Sequence, residues 1–257
     1  MAAENTGRTG PIVILLHGAG LNRAMWQPQI ERLGEEHKVV AVDLPGHGRL
    51  QNVRFTLDAA IEQVEETIAQ EESGPAVIVG SSLGGYVAIA YAAKHKKNVA
   101  GLVLSGCCVQ YFGIIGAVAR ANVFALRSMP RFLFDGMQKK MLASVAAPAD
   151  VEAIVQNGLS LSGAQDGMKE VIGKDFVAMF GRCDVPVLLL NGERDTLNRK
   201  YEGLFVTASR NVKRAVVAGA GHLCSLERPS EFSELAGQFI KRTRQSSTDY
   251  TDEHRLE

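Results

Sequence analysis

Six short apolar runs punctuate the chain, at residues 12–16, 39–42, 76–79, 102–104, 187–190 and 215–217, and none of them alternates with polar positions. Unbroken apolar runs of this length suit strands covered on both faces, the environment of a parallel sheet with crossover helices packed on either side. The stretches between the runs have helical length or more. The pattern therefore predicts an α/β fold, a mostly parallel sheet of about six strands flanked by helices. Thr56 is placed to cap a helix whose Leu57, Ile61, Val64 and Ile68 recur at three- and four-residue steps, giving it one apolar face. A further helix is expected over 83–97, ending in Lys94, His95, Lys96 and Lys97, where positive charge suits the negative end of a helix dipole.

Between the fourth and fifth runs lie about eighty residues, far more than an ordinary connection, and they carry helical periodicity. Phe134, Met137, Met141 and Val145 form one stripe; Met168, Ile172, Phe176 and Met179 form another. Residues 109–181 are assigned as a helical insertion before the penultimate strand, splitting the core into 11–108 and 182–243. The polar segments 1–10 and 245–257 cannot bury enough apolar surface to order themselves and are expected to be flexible.

Chemistry enters with Gly80-Ser81-Ser82-Leu83-Gly84, which follows the third run and precedes a small-residue stretch, and so reads as strand, sharp turn, helix. Glycine at both ends lets the middle residue sit on a tight turn with its hydroxyl raised above the end of a strand. That residue is Ser82; Ser81 lacks a glycine two positions earlier, where Val79 stands. Three more segments follow strand ends: His17-Gly18-Ala19-Gly20, Asn191-Gly192-Glu193-Arg194-Asp195 and Gly219-Ala220-Gly221-His222. A serine hydroxyl needs a base to take its proton as it attacks, and an imidazole oriented by a carboxylate is suited to that work near neutrality.

The order loop, Ser, Asp, His resembles the α/β-hydrolase superfamily over residues 11–243, and the turn Asp43-Leu44-Pro45-Gly46-His47-Gly48 is similar to that of its small esterase, enol-lactonase and perhydrolase branch. The resemblance implies Ser82 as nucleophile and His222 as base. The spacing after Gly192 implies Asp195, rather than Glu193, as the acid. The N–H groups of Ala19 and Leu83 would form the oxyanion hole. It also implies that the insertion caps the active site, and that neither metal nor organic cofactor is required. Larger members carry an antiparallel hairpin ahead of the first loop strand, for which the roughly ten residues before Ile12 leave no room. The expected activity is hydrolysis of a small, largely apolar carboxylic ester or lactone through an acyl-enzyme. A triad-bearing lyase or perhydrolase, or a ligand receptor on the same fold, are the alternatives. A haloalkane dehalogenase is disfavoured, because that chemistry needs a carboxylate where Ser82 stands.

Lys plus Arg equals Asp plus Glu at 28 each in 257 residues, so no global field draws the chain to nucleic acid or to an anionic membrane, and a small uncharged or weakly charged substrate is the default partner. Locally, residues 109–147 carry Arg120, Arg127, Arg131, Lys139 and Lys140 against Asp135 alone. That excess of four positive charges reads as a solvated face, or as an aid to acidic or membrane-associated substrates. Cys107, Cys108, Cys183 and Cys224 form no C-x-x-C pair and read as reduced, buried hydrophobes, while the first apolar run is too short for a signal core or a membrane span. A cytoplasmic protein is expected. Of the remaining histidines, His17 and His47 are expected to hold loops, and His37, His95 and His254 to be solvated.

Overall fold

The six apolar runs lie in six strands of the computed structural model, which describes residues 11–71 and 74–253. These are β1 (Val13–Leu16), β2 (Val39–Val42), β3 (Ala76–Ser81), β4 (Val99–Ser105), β5 (Val187–Gly192) and β6 (Val212–Val217), in the order β2-β1-β3-β4-β5-β6 with every neighbouring pair parallel. Every residue of β1, β3 and β5 is buried, which is why these strands read as continuous apolar sequence. Edge strand β6 differs. It starts three residues before the predicted run, with Lys213 and Arg214 opposite Leu188 and Leu189, because an edge strand tolerates exposed cations that a central strand does not.

Helices α1 (Gln27–Leu33), α2 (Leu57–Glu71) and α3 (Leu83–Lys94) connect the first four strands. The Thr56 hydroxyl accepts the Ala59 N–H at 3.1 Å, and Leu57, Ile61, Val64 and Ile68 are all buried, as the periodicity requires. Helix α3 is three residues shorter than expected: His95 leaves helical geometry, and 96–98 form a separate 3-10 turn. Between β4 and β5 come α4 (Gly113–Arg127), α5 (Arg131–Ala143), α6 (Pro148–Gln156), α7 (Leu161–Val171) and α8 (Phe176–Phe180); α9 (Thr196–Ala208), α10 (Cys224–Glu227) and α11 (Pro229–Glu253) complete the chain. One face of the sheet packs on α2, α3, α8 and α9, the other on α1 and α11, where Trp26 meets Phe232 with ring centres 6.1 Å apart.

Two features of the insertion depart from its periodicity. The stripe from Met168 to Met179 is broken between α7 and α8, where Gly173 adopts φ +83°, and Met137 points outward while Phe134 beside it is buried. The insertion is seated on the loops that follow β1 and β2. The Ser160 N–H donates to the Gly20 carbonyl at 3.0 Å, its hydroxyl to the Gly46 carbonyl at 2.5 Å, and Asn22 Nδ2 to the carbonyls of Ile154 and Gly158 at 2.8 and 3.0 Å.

Helix α11 carries the backbone through 245–253, a stretch expected to be flexible; extending an existing helix adds one hydrogen bond per residue fixed, without a new nucleation cost. The segments 1–10 and 254–257, including His254, lie outside the described residues. His37, expected at the surface, is buried. Among the described residues no helix is long and apolar enough to cross a membrane.

Candidate active site

Ser82 joins the end of β3 to the start of α3 at φ 51°, ψ −113°, and is the one non-glycine residue with positive φ among the described residues. Such backbone is strained for an L-residue and persists only where its surroundings enforce it. The flanking glycines do so: a Cβ on Gly80 would fall 2.5 Å from the Gly84 carbonyl oxygen, and one on Gly84 would fall 2.2 Å from that of Leu16. The Ser82 N–H donates to the Ser105 carbonyl at 2.7 Å, tying the turn to the end of β4.

The next residue, Gly106, also turns with positive φ, and its N–H donates to Asn191 Oδ1 at 2.7 Å. The imidazole of His222 rests on this glycine, so closely that a Cβ there would lie 2.7 Å from Cε1. Serine and imidazole thus flank one strand end. His222 Nδ1 donates to Asp195 Oδ2 at 2.8 Å, fixing the tautomer whose Nε2 carries the free lone pair. Asp195 is nearly buried and the His222 side chain is 47% exposed, so the pair opens to solvent on the imidazole side. Among the described residues the Ser82 hydroxyl has no hydrogen-bond partner, so its link to His222 is not made in this conformation.

Asp195 caps the N-terminus of α9. Burial pushes its carboxyl up, but the hydrogen bond and charge of His222, with hydrogen bonds from the side chain and N–H of Asn198, together hold it below the ordinary carboxylate value. Asn198, itself buried, donates through Nδ2 to both carboxylate oxygens, at 3.1 and 2.9 Å, while its Oδ1 accepts the Cys108 N–H at 2.8 Å. Asn191 makes a parallel link, donating to Glu202 Oε1 at 2.8 Å. Nothing in the sequence singles out these two amides: Asn191 lies at the end of β5 and Asn198 in the first turn of α9, and only the folded arrangement brings them to the site. Glu193 accepts the Gly219 N–H at 2.8 Å, and so steadies the loop that carries His222.

Neither the Ala19 nor the Leu83 N–H has a partner among the described residues, and Gly18 lies close enough to Ser82 that a Cβ added there would sit 3.6 Å from the serine Cβ. Behind this loop, His17 Nε2 accepts the Leu44 N–H at 3.0 Å, and His47 Nε2 accepts the Gly20 N–H at 3.1 Å. Each ring donates its Nδ1–H to a backbone carbonyl, Gly18 at 2.8 Å and Pro45 at 2.9 Å, so both are held neutral. Burial, with repulsion from His47, takes His17 down to about 3, and burial lowers His47 as well.

Cys107, Cys108 and Cys224 are buried, and desolvation raises all three thiols, Cys108 and Cys224 to about 12, so none is a thiolate nucleophile. Among the described residues no cluster of three or more His, Cys, Asp or Glu is arranged to hold a metal ion.

The chain is similar to known proteins in sequence and in fold. A model described as the alpha/beta hydrolase family matches residues 13–235. A pimeloyl-acyl-carrier-protein methyl ester esterase of Neisseria meningitidis is 29% identical over 242 residues, covering 89% of this chain and 93% of that protein. The protein of the same name from Chromobacterium violaceum is 32% identical over 212 residues, covering 78% and 82%. Among solved structures, a thermophilic esterase from Thermogutta terrifontis superposes with a TM-score of 0.75 at 26% identity, over 92% of this chain and 91% of that one.

Proposed function

The chain belongs to the alpha/beta hydrolase family, and from that premise we propose that it is a carboxylic ester hydrolase working through an acyl-enzyme on Ser82. The observation that carries the reading is the strained Ser82 turn beside the 2.8 Å His222–Asp195 pair at the C-terminal ends of the strands. In the proposed reaction the half-exposed His222 ring closes on Ser82, and Nε2 takes the hydroxyl proton as Oγ attacks the ester carbonyl. The oxyanion receives the N–H groups of Ala19 and Leu83, each donor of this kind being worth about 2.7–4 kcal/mol. His222 then passes its proton to the departing alcohol. A water molecule, deprotonated by the same ring, attacks the acyl-enzyme and releases the acid. Asp195 stabilises the imidazolium throughout without taking its proton.

As to substrate, the relatives named as methyl ester esterases support an ester of a largely apolar acyl group over a lactone. The test pairs turnover of short-chain and methyl esters with fluorophosphonate labelling. Ser82→Ala is expected to lose roughly four orders of magnitude in kcat and to lose the label. Near-normal turnover by a folded Ser82→Ala protein would sink the reading.

A further inference from the structure

Apolar surface is unevenly spread over this molecule: of eleven large apolar side chains exposed among the described residues, seven fall between Phe112 and Met137. On α4, Ile114, Val118 and Phe124 are 84%, 56% and 70% exposed, and on α5, Phe132 and Met137 are 72% and 60% exposed. Helix α4 already buries another face, through Gly116, Ala119 and Val123. A surface helix that is apolar on two sides has one side left to cover.

The same helices carry the local positive excess. Arg120, Arg127, Lys139 and Lys140 are exposed and form no ion pair among the described residues, while Arg131 pairs with Asp135 at 3.6 Å. Arg120, Arg127 and Lys169 stand around Phe124 and Ile172 in a groove of about 340 Å³, so cations and apolar groups share one site.

We propose that this α4–α5 face docks on an anionic lipid surface, its large apolar side chains entering the headgroup boundary and its arginines and lysines meeting lipid phosphates. Cations around protruding aromatic and aliphatic groups are the composition that lies in a bilayer interface. The most exposed groups stand out as knobs, which a fluid bilayer accepts without a matching contour. A second copy of the chain would bring the same cations face to face, which like-charge repulsion opposes. The inference does not depend on the catalytic reading, since binding alone reports it.

The test is co-flotation of the full chain with vesicles of phosphatidylcholine alone or mixed with phosphatidylglycerol. Binding to the mixed vesicles is expected to exceed binding to phosphatidylcholine by at least about tenfold and to weaken at high salt. Phe124→Ser with Phe132→Ser, and separately Arg120→Glu with Arg127→Glu, should each reduce it by a similar factor while turnover of a soluble ester is unchanged. The comparison of lipids and of salt uses only the unaltered chain, so a variant that fails to fold leaves the test intact. The proposal is overturned if the folded chain floats with neither vesicle, or if both double variants bind as well as the parent. It is equally overturned if the face instead mediates self-association that the Phe124→Ser, Phe132→Ser change abolishes, or holds an acidic carrier protein and no vesicle.

Discussion

His17 and His47 hold each other's loops: the ring of His17 accepts an N–H from Leu44 in the turn that carries His47, and the ring of His47 accepts one from Gly20 in the loop that carries His17. Both nitrogens that accept must be unprotonated. Unfolded, a histidine takes up a proton below about 6.5, whereas folded His17 remains neutral down to about 3. Between those values the unfolded chain binds more protons than the native one. Stability is therefore complete above the upper value and is lost as pH falls toward the lower, with a slope of up to about 1.4 kcal/mol per pH unit for each such ring. Urea unfolding followed from neutral pH into this window should show that loss, and His17→Asn, though less stable at neutral pH, should show a slope smaller by one proton.

Asn198 clamps Asp195 through both carboxylate oxygens and fastens it to the Cys108 N–H. Hydrogen bonds to a charged group are each worth about 1.5–3 kcal/mol, so Asn198→Leu should cut kcat by roughly ten- to a hundredfold. Asn198 is buried behind Asp195, so KM should hold. Losing the amide also raises the Asp195 carboxyl, so the acid limb of the kcat–pH profile should move upward. A merely structural role would lower the melting temperature and leave that limb where it was.

Gly106 leaves room for the imidazole of His222, with φ +64° and no side chain under Cε1. Gly106→Ala adds about 1–2 kcal/mol of backbone strain and a methyl where the ring rests. Since the ring is half exposed and has solvent on its outer side, the expected outcome is a loss of kcat/KM of at least about a hundredfold with a modest fall in melting temperature. Esterase assays alongside thermal melts on the same sample read both quantities.

Ser82 holds its left-handed backbone at a cost to the fold. Ser82→Gly should remove the proposed nucleophile and about 1 kcal/mol of strain together, raising the melting temperature by roughly 2–4 °C in an inactive protein. A melt that is unchanged or lower would show that the turn is unstrained.

Much of this architecture was legible in the sequence because strands buried on both faces are apolar along most of their length: β1 throughout, and β3 and β5 up to their Gly80-Ser81 and Asn191-Gly192 ends. The glycines of the Ser82 turn were legible for a similar reason, since backbone atoms occupy the space where their side chains would be. What escaped had weaker local signals. Lys213 and Arg214 hid the start of β6 because an edge strand is half wet, and Gly173 broke a stripe that Met168 and Phe176 continue in number but not in space. Asn191 and Asn198 act across the gap between β4 and β5, and nothing along the chain distinguishes them from turn residues. Met137 shares the spacing of Phe134 yet faces outward, so periodicity located the helix without settling which apolar groups it buries.

The bare backbone of Gly20 lets Phe134 and Gln138 of α5 settle almost onto the loop behind Ala19: a methyl at that point would meet them at 3.1 and 3.0 Å. The clearance between cap and loop is thus set by an atom that is missing. Exchanging that residue would push Phe134 and Gln138 away from the loop, so the seating of the insertion on the β1 loop is adjustable by evolution or design at a position that carries no side chain.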